Sequence, residues 1–432
     1  MAHLHLNLFE QIAALVTISA LFAWINSRWL KLPTTIGLMV LSLLFSILLL
    51  IAGTFSPQVG RQAKELIGEV NFSETLLEGM LGFLLFAGAL HVNLNDLKSH
   101  KWGIASLAIV GTLISTFLIA LISWFAFKFV GMPMNFLYCL LLGAIISPTD
   151  PIAVLAILKQ SHAPAPVRTI ITGESLFNDG VAVVLFVSLT ELASSEHGFE
   201  WSQFLSIFAQ EVLGGMIFGL VIGLLAFQLI RAIDDYPVEI LVTFAVSALG
   251  YALAHRLHLS GPIAMVVAGL VLGNHGRNFG MSTKTNERLD QFWELIDEFL
   301  NAVLFVLIGL ELLILNFTTS ALVAGLLMIP VVLFARFVAV SIPIGIIRQK
   351  IAYPKFTIRI LTWGGLRGGI SVALALALPK LASASADFDA RELILSITYI
   401  VVVFSILVQG LTIGLLVRQA TGKDEPVTSA HH

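Results

Sequence analysis

Apolar runs of about 20 residues, the length an α-helix needs to cross the hydrocarbon of a bilayer, follow one another along almost the whole chain. Cutting at the clusters of Lys, Arg, Pro, Asn and Gly between them predicts thirteen membrane helices. Their limits are about 8–28, 33–53, 72–92, 102–129, 133–158, 166–192, 202–231, 236–256, 261–274, 289–315, 318–347, 357–379 and 391–418. The longest loops, about 53–71 and 275–288, are too short to fold alone. In the first, Arg61, Lys64, Glu65 and Glu69 alternate with Val59, Leu66, Ile67 and Val70, which suits a short interfacial helix. The segment beyond Arg418, about 419–432, is a polar tail whose final His431 and His432 read as a tag remnant.

Composition agrees with this pattern. The 432 residues are 57% hydrophobic and 12% charged, with a mean hydropathy of +0.94. A soluble domain carries about 25% charged residues, so most of the outer surface has to face membrane lipid. A net charge of −3 offers no basic field, and no nucleic-acid partner is expected. The lone Cys139 excludes an intramolecular disulfide and any cysteine-cluster metal site. The first residues lack the positive n-region of a signal peptide, and the first apolar run leads on into further spans. Odd-numbered loops and the C-terminal tail hold 16 Lys and Arg against 6 on the other side. That bias places the N-terminus outside and the C-terminus in the cytoplasm of a multi-pass cytoplasmic (inner) membrane protein.

Ionisable residues inside spans cost at least ~2.5 kcal/mol each on insertion scales and are functional candidates by default. Span five reads Leu141-Leu-Gly-Ala-Ile-Ile-Ser-Pro-Thr-Asp-Pro151, with Pro148 and Pro151 on either side of Thr149 and Asp150. Each proline removes a backbone donor and clashes with the preceding turn, so the helix is expected to open at Ser147 to Asp150, where free carbonyls and helix ends bind ions. A simple proline kink is the alternative. Span six contains Gly173-Glu-Ser-Leu-Phe-Asn-Asp-Gly180, which puts Ser175, Asn178 and Asp179 on one helix face with Glu174 beside Asn178. Such a set of oxygens suits a hard monovalent cation, whereas an exposed helix start capped by Asp179 is the plainer reading. Span twelve surrounds Arg367 with Gly364, Gly365, Gly368 and Gly369. A glycine weakens a helix interior by about 1 kcal/mol, so a second irregular span is predicted, with Arg367 either snorkelling or paired with Glu174 or Asp150. Spans five and twelve correspond if spans 1–6 and 8–13 are inverted repeats joined by span seven. Glu78, Glu239, Glu311 and Arg336 lie near span ends, where snorkelling or capping explains them, and His91 and His255 read as interfacial. No phosphate loop, Ser-His-Asp set or zinc pattern supports an enzyme.

Taken together, Ser147-Pro-Thr-Asp-Pro151, Gly173-Glu-Ser-Leu-Phe-Asn-Asp-Gly180 and Gly365-Leu-Arg-Gly-Gly369 resemble the signature stretches of the monovalent cation:proton antiporter-1 family, in its NhaP-like branch and the related animal sodium/proton exchangers. The resemblance covers nearly the whole chain. It implies an all-α polytopic homodimer of thirteen helices, with two inverted-topology repeats and crossed discontinuous helices. A dimerisation part would include about 8–53 and 202–274, and core helices would lie within about 72–192 and 289–418. It implies exchange of Na⁺ or Li⁺ for H⁺ by alternating access, with no cofactor, and a role in pH homeostasis. Asp179 would bind the cation or the proton, Ser175 and Thr149 would add oxygens, and Asp150 would balance the helix ends. Glu174 and Arg367 would form a buried ion pair. Asn178, as the neutral partner of Asp179, implies electroneutral exchange. Many relatives carry an acid where this chain has Ala87. A K⁺/H⁺ antiporter of the same fold is the main rival, and a cation channel a remoter one.

Overall fold

The computed structural model describes residues 7–58, 60, 61, 64, 72–129, 131–151, 154, 155, 158, 164–194, 201–277, 280–315, 317–348, 353, 354, 356–379 and 390–421. Most of the expected interfacial segment 53–71 and nearly all of the tail lie outside them. Among the described residues the chain is all-helical. The helices are α1 (Leu8–Ile25), α2 (Thr34–Phe55), α3 (Phe72–Leu90), α4 (Leu94–Phe129), α5 (Phe136–Ile146), α6 (Ala165–Ser194) and α7 (Trp201–Arg231). There follow α8 (Tyr236–Arg256), α9 (Gly261–Gly276), α10 (Thr283–Glu311), α11 (Thr319–Ile347), α12 (Thr357–Trp363), α13 (Gly369–Ala377) and α14 (Ala390–Gln419).

Among the described residues, nine helices are long and apolar enough to cross a membrane. They correspond to nine of the thirteen expected spans. The other four are the two short apolar helices α5 and α9, the half-polar α10, and the divided span made by α12 and α13. Two limits move outward: the expected loop before residue 102 is already helix, because Asn93 caps α4 by accepting from the Asn95 N–H at 2.8 Å, and α10 starts at Thr283, ahead of the expected 289.

Short polar side chains start several helices. Asn135 accepts from the Leu137 N–H at the start of α5, Ser260 from Ile263 at α9, Ser282 from Thr285 at α10, and Thr318 from Ala321 at α11. Each satisfies a donor that the first turn leaves open, a requirement that is strict where water is scarce.

The arrangement places α6 centrally. It packs on α4, α5 and α9 and touches both α12 and α13. Helix α10 packs against α2 and α3, with the Ser42 and Ser46 hydroxyls donating to the Phe305 and Gly309 carbonyls at 3.4 and 2.9 Å. Small residues and hydroxyls hold helices together where lipid supplies no hydrophobic drive. Outward faces are apolar, as on α2 (Leu44, Leu48, Ile51) and α7 (Leu213, Ile217, Leu220).

Candidate functional site

Span five is broken as its prolines require. α5 ends at Ile146, the Ser147 N–H still donates to Gly143, and Ser147 to Pro151 leave the helix. Helical bonding resumes where the Leu155 N–H donates to the Pro151 carbonyl at 2.7 Å. Span twelve breaks between α12 and α13, over Gly364 to Gly368. The two breaks meet directly: the Asp150 N–H donates to the Leu366 carbonyl at 2.8 Å.

Each break carries the charge that the other needs. The Arg367 guanidinium, 2% exposed, donates to the Ser147 and Pro148 carbonyls at 3.0 and 3.1 Å. It thereby satisfies carbonyls orphaned at the C-terminal, negative end of α5. The Asp150 carboxylate lies against Gly368, the residue that precedes α13, and so faces that helix's positive N-terminal end. A Cβ on Gly368 would overlap the Asp150 Oδ2, so only glycine admits this approach.

The buried ion pair differs from the expected one. Glu174 is engaged by Arg336 of α11, not by Arg367: both guanidinium NH2 groups fork onto the carboxylate, the second at 2.8 Å. Arg336 also donates to the Leu361 carbonyl in α12 from Nε and Nη2, at 3.3 and 3.2 Å. A Cβ on Gly365 would meet the Arg336 Nε at 2.5 Å, so that glycine makes room for the guanidinium. The pair therefore ties α6 and α11 to the broken span. Arg367 stays within electrostatic reach of Glu174, but its hydrogen bonds go to the carbonyls of span five. Snorkelling of Arg336 is likewise overturned, because the residue is 5% exposed and its guanidinium is spent on Glu174 and Leu361.

Thr149, Ser175 and Asn178 form one network. The Asn178 amide NH2 donates to the Thr149 hydroxyl at 2.8 Å, and its carbonyl receives the Thr149 N–H at 3.5 Å. The Thr149 hydroxyl is 3.1 Å from that of Ser175. Both ends of the Asn178 amide are thus spent on Thr149, which makes Asn178 a clamp on the opened backbone in this arrangement. Asp179 is different. Its carboxylate, in a residue 5% exposed, makes no ion pair among the described residues and lines a cavity of about 1140 Å³ together with Pro148, Asp150 and Pro151.

That cavity is also lined by Thr34, Asn93, Asp96, Arg168 and Asp290, near the ends of spans that share the odd-loop side of the chain. Ala87 is in its wall, and its carbonyl accepts from the Nδ1–H of His91 at 2.8 Å. His91, expected at the interface, is exposed at the end of α3 and also lines the cavity, with its Nε2 3.4 Å from the Asp290 Oδ1. Asp290 is also forked by Arg277. Asp297 and Asn301 of α10 line the same cavity and were not singled out by the sequence. The available signal was their spacing of four on a span with one polar stripe. No group of three or more His, Cys, Asp or Glu with the geometry of a metal centre occurs among the described residues.

A family model described as "Sodium/hydrogen exchanger, transmembrane" matches residues 16–419. The chain is 48% identical over 419 residues to the Na(+)/H(+) antiporter NhaP of Pseudomonas aeruginosa, covering 95% of this chain and 97% of that one. It is 34% identical over 419 residues to the Na(+)/H(+) antiporter NhaH of Halobacillus dabanensis, covering 96% and 98%. In structure it is similar to the sodium proton antiporter MjNhaP1 of Methanocaldococcus jannaschii, with a TM-score of 0.75 at 22% identity over 96% of this chain and all of the other.

Proposed function

The chain belongs to the sodium/hydrogen exchanger family, and on that premise we propose that it is a secondary active antiporter that exchanges Na⁺ or Li⁺ for H⁺ at Asp179. One observation carries the reading: a buried carboxylate, without an ion-pair partner among the described residues, stands in a water-accessible cavity beside two crossed helix breaks. A carboxylate so placed cannot stay bare, because an isolated buried charge is too costly. It holds either a proton or a cation, and the two exclude each other.

In this mechanism the cation takes oxygen from Asp179, with Thr149 and Ser175 supplying hydroxyl or backbone oxygen as the Asn178 clamp relaxes. Asp150 and Arg367 hold the helix ends in register, while Glu174 and Arg336 keep α6 fixed against the crossing. Proton-loaded and cation-loaded forms switch access, whereas empty and doubly loaded forms do not. One carboxylate next to a neutral Asn178 exchanges one cation for one proton, so the cycle is electroneutral. The described state opens toward the odd-numbered loops, which the charge bias assigns to the cytoplasm. The proposed setting is a homodimer in the cytoplasmic membrane. Segments 8–53 and 202–274 form the dimerisation part, supported by the exposed apolar faces of α2 and α7.

The test is recovery of a pH dye in proteoliposomes with an imposed pH gradient, adding Na⁺, Li⁺ or K⁺ in turn. Recovery with Na⁺ and Li⁺, absent with Asp179→Asn, is the expected result. A response to K⁺ alone converts the reading to potassium/proton exchange and directs attention to Ala87 in the cavity wall. Silence with every cation rejects antiport.

A further inference from the structure

Helix α10 contributes a face that the mechanism above does not use. Asp290, Glu294, Asp297 and Asn301 follow one another at intervals of four, three and four residues, which places them along one stripe. All four line the cavity. At 1.5 Å per residue the stripe is about 16 Å long, running from the mouth, where Arg277 forks onto Asp290, into the membrane-embedded part of the helix. Seven carboxylates line the cavity against one arginine, so a cation is drawn along it.

The inner end of the stripe is where a ligand is called for. Asn301 is 3% exposed, and among the described residues neither its amide oxygen nor its amide nitrogen has a hydrogen-bond partner. The Asp297 carboxylate one turn earlier approaches the amide closely enough to feel it, but the pair does not reach the geometry of a hydrogen bond. Buried amides are otherwise nearly always satisfied. A partly hydrated alkali cation arriving through the cavity answers both needs, with the ion on the Asn301 Oδ1 and the Asp297 carboxylate, and one of its waters on the Asn301 Nδ2. Asp150 lies within electrostatic reach of Asp297 and in turn of Asp179, so the stripe leads to the crossing.

We propose that Asp297 and Asn301 form a second cation site, an entry station where Na⁺ or Li⁺ sheds part of its hydration before it reaches Asp179. The proposal rests on the antiport reading, and its tests separate the two. In proteoliposomes of the full chain, Asn301→Leu and Asp297→Asn are expected to raise the apparent KM for Na⁺ about five- to tenfold with the maximal rate within about twofold, the pattern of lost binding as opposed to lost chemistry. Asn301→Asp, which keeps an oxygen ligand, restores the wild-type KM or lowers it. An unchanged KM in Asn301→Leu overturns the proposal, as does a defect confined to the maximal rate or to melting. A wild-type protein without Na⁺-driven proton movement fails the antiport reading instead, and the station is then judged by binding. In the Asp179→Asn background, NaCl compared with choline chloride is expected to raise the melting temperature in detergent, and adding Asn301→Leu to remove the rise. No rise in Asp179→Asn rejects the station whether or not the protein transports.

Discussion

Glu174 and Asp179 stand five residues apart on one helix, are 1% and 5% exposed, and have opposite fates. Glu174 is held by both arms of Arg336, whereas Asp179 faces a cavity and makes no ion pair among the described residues. Burial alone therefore does not identify a transport carboxylate. Pairing together with a place on the cavity does: a carboxylate with a fixed counter-cation has nothing left to exchange, whereas a buried one that lines the cavity without a counter-cation takes its partner from solution. The same contrast explains why the crossing is supplied with its own charges. Arg367 and Asp150 are committed to helix ends, which leaves Asp179 as the carboxylate beside the crossing that makes no ion pair among the described residues.

Substitutions that exchange the two fates test this contrast. The largest effect is expected from Asp179→Asn, which abolishes cation-driven proton movement while gel filtration and melting in detergent stay close to wild type. Next is removal of one member of the pair. Arg336→Ala leaves Glu174 buried and bare at a cost of about 3–5 kcal/mol, read as a clear fall in melting temperature and in membrane expression. Glu174→Gln with Arg336→Met, which removes both charges, is expected to recover much of that loss. Failure of the double variant to exceed the single one counts against simple pairing. Gly368→Ala forces a methyl onto the Asp150 carboxylate, for about 1–3 kcal/mol as in overpacked cores, and slows exchange by distorting the crossing. The smallest effect is expected from Thr149→Val, which deletes the hydroxyl that Asn178 and Ser175 share. The loss is about 1–2 kcal/mol of hydrogen bonding, measured as a weakened apparent affinity for Na⁺ with melting little changed.

Much of this was legible in the sequence because membrane helices announce their irregularities. Two prolines around Thr149 and Asp150 pointed to an opening of span five in preference to a simple kink, and four glycines around Arg367 to a second irregular span. The lining-up of Glu174, Ser175, Asn178 and Asp179 followed from helical spacing alone. What could not be read was azimuth between helices. A one-dimensional pattern gives the depth of Arg336 and Arg367 but not which of them faces Glu174, and Arg336 looked like a snorkelling residue because α11 shows no acidic neighbour to explain it. Asp297 and Asn301 were overlooked for a related reason. The first half of α10 is polar enough to resemble a loop approaching the bilayer, and only the cavity reveals that the polar stripe stays inside.

The account centres on competition between one proton and one cation for the Asp179 carboxylate, and the most direct measurement is proton release on Na⁺ binding by the purified protein in weakly buffered detergent solution, below the pH at which the site empties of protons. About one proton should appear in solution for each Na⁺ bound at Asp179, with no release from Asp179→Asn. Saturable Na⁺ binding at that site without proton release, or equal release from the Asp179→Asn protein, would contradict it.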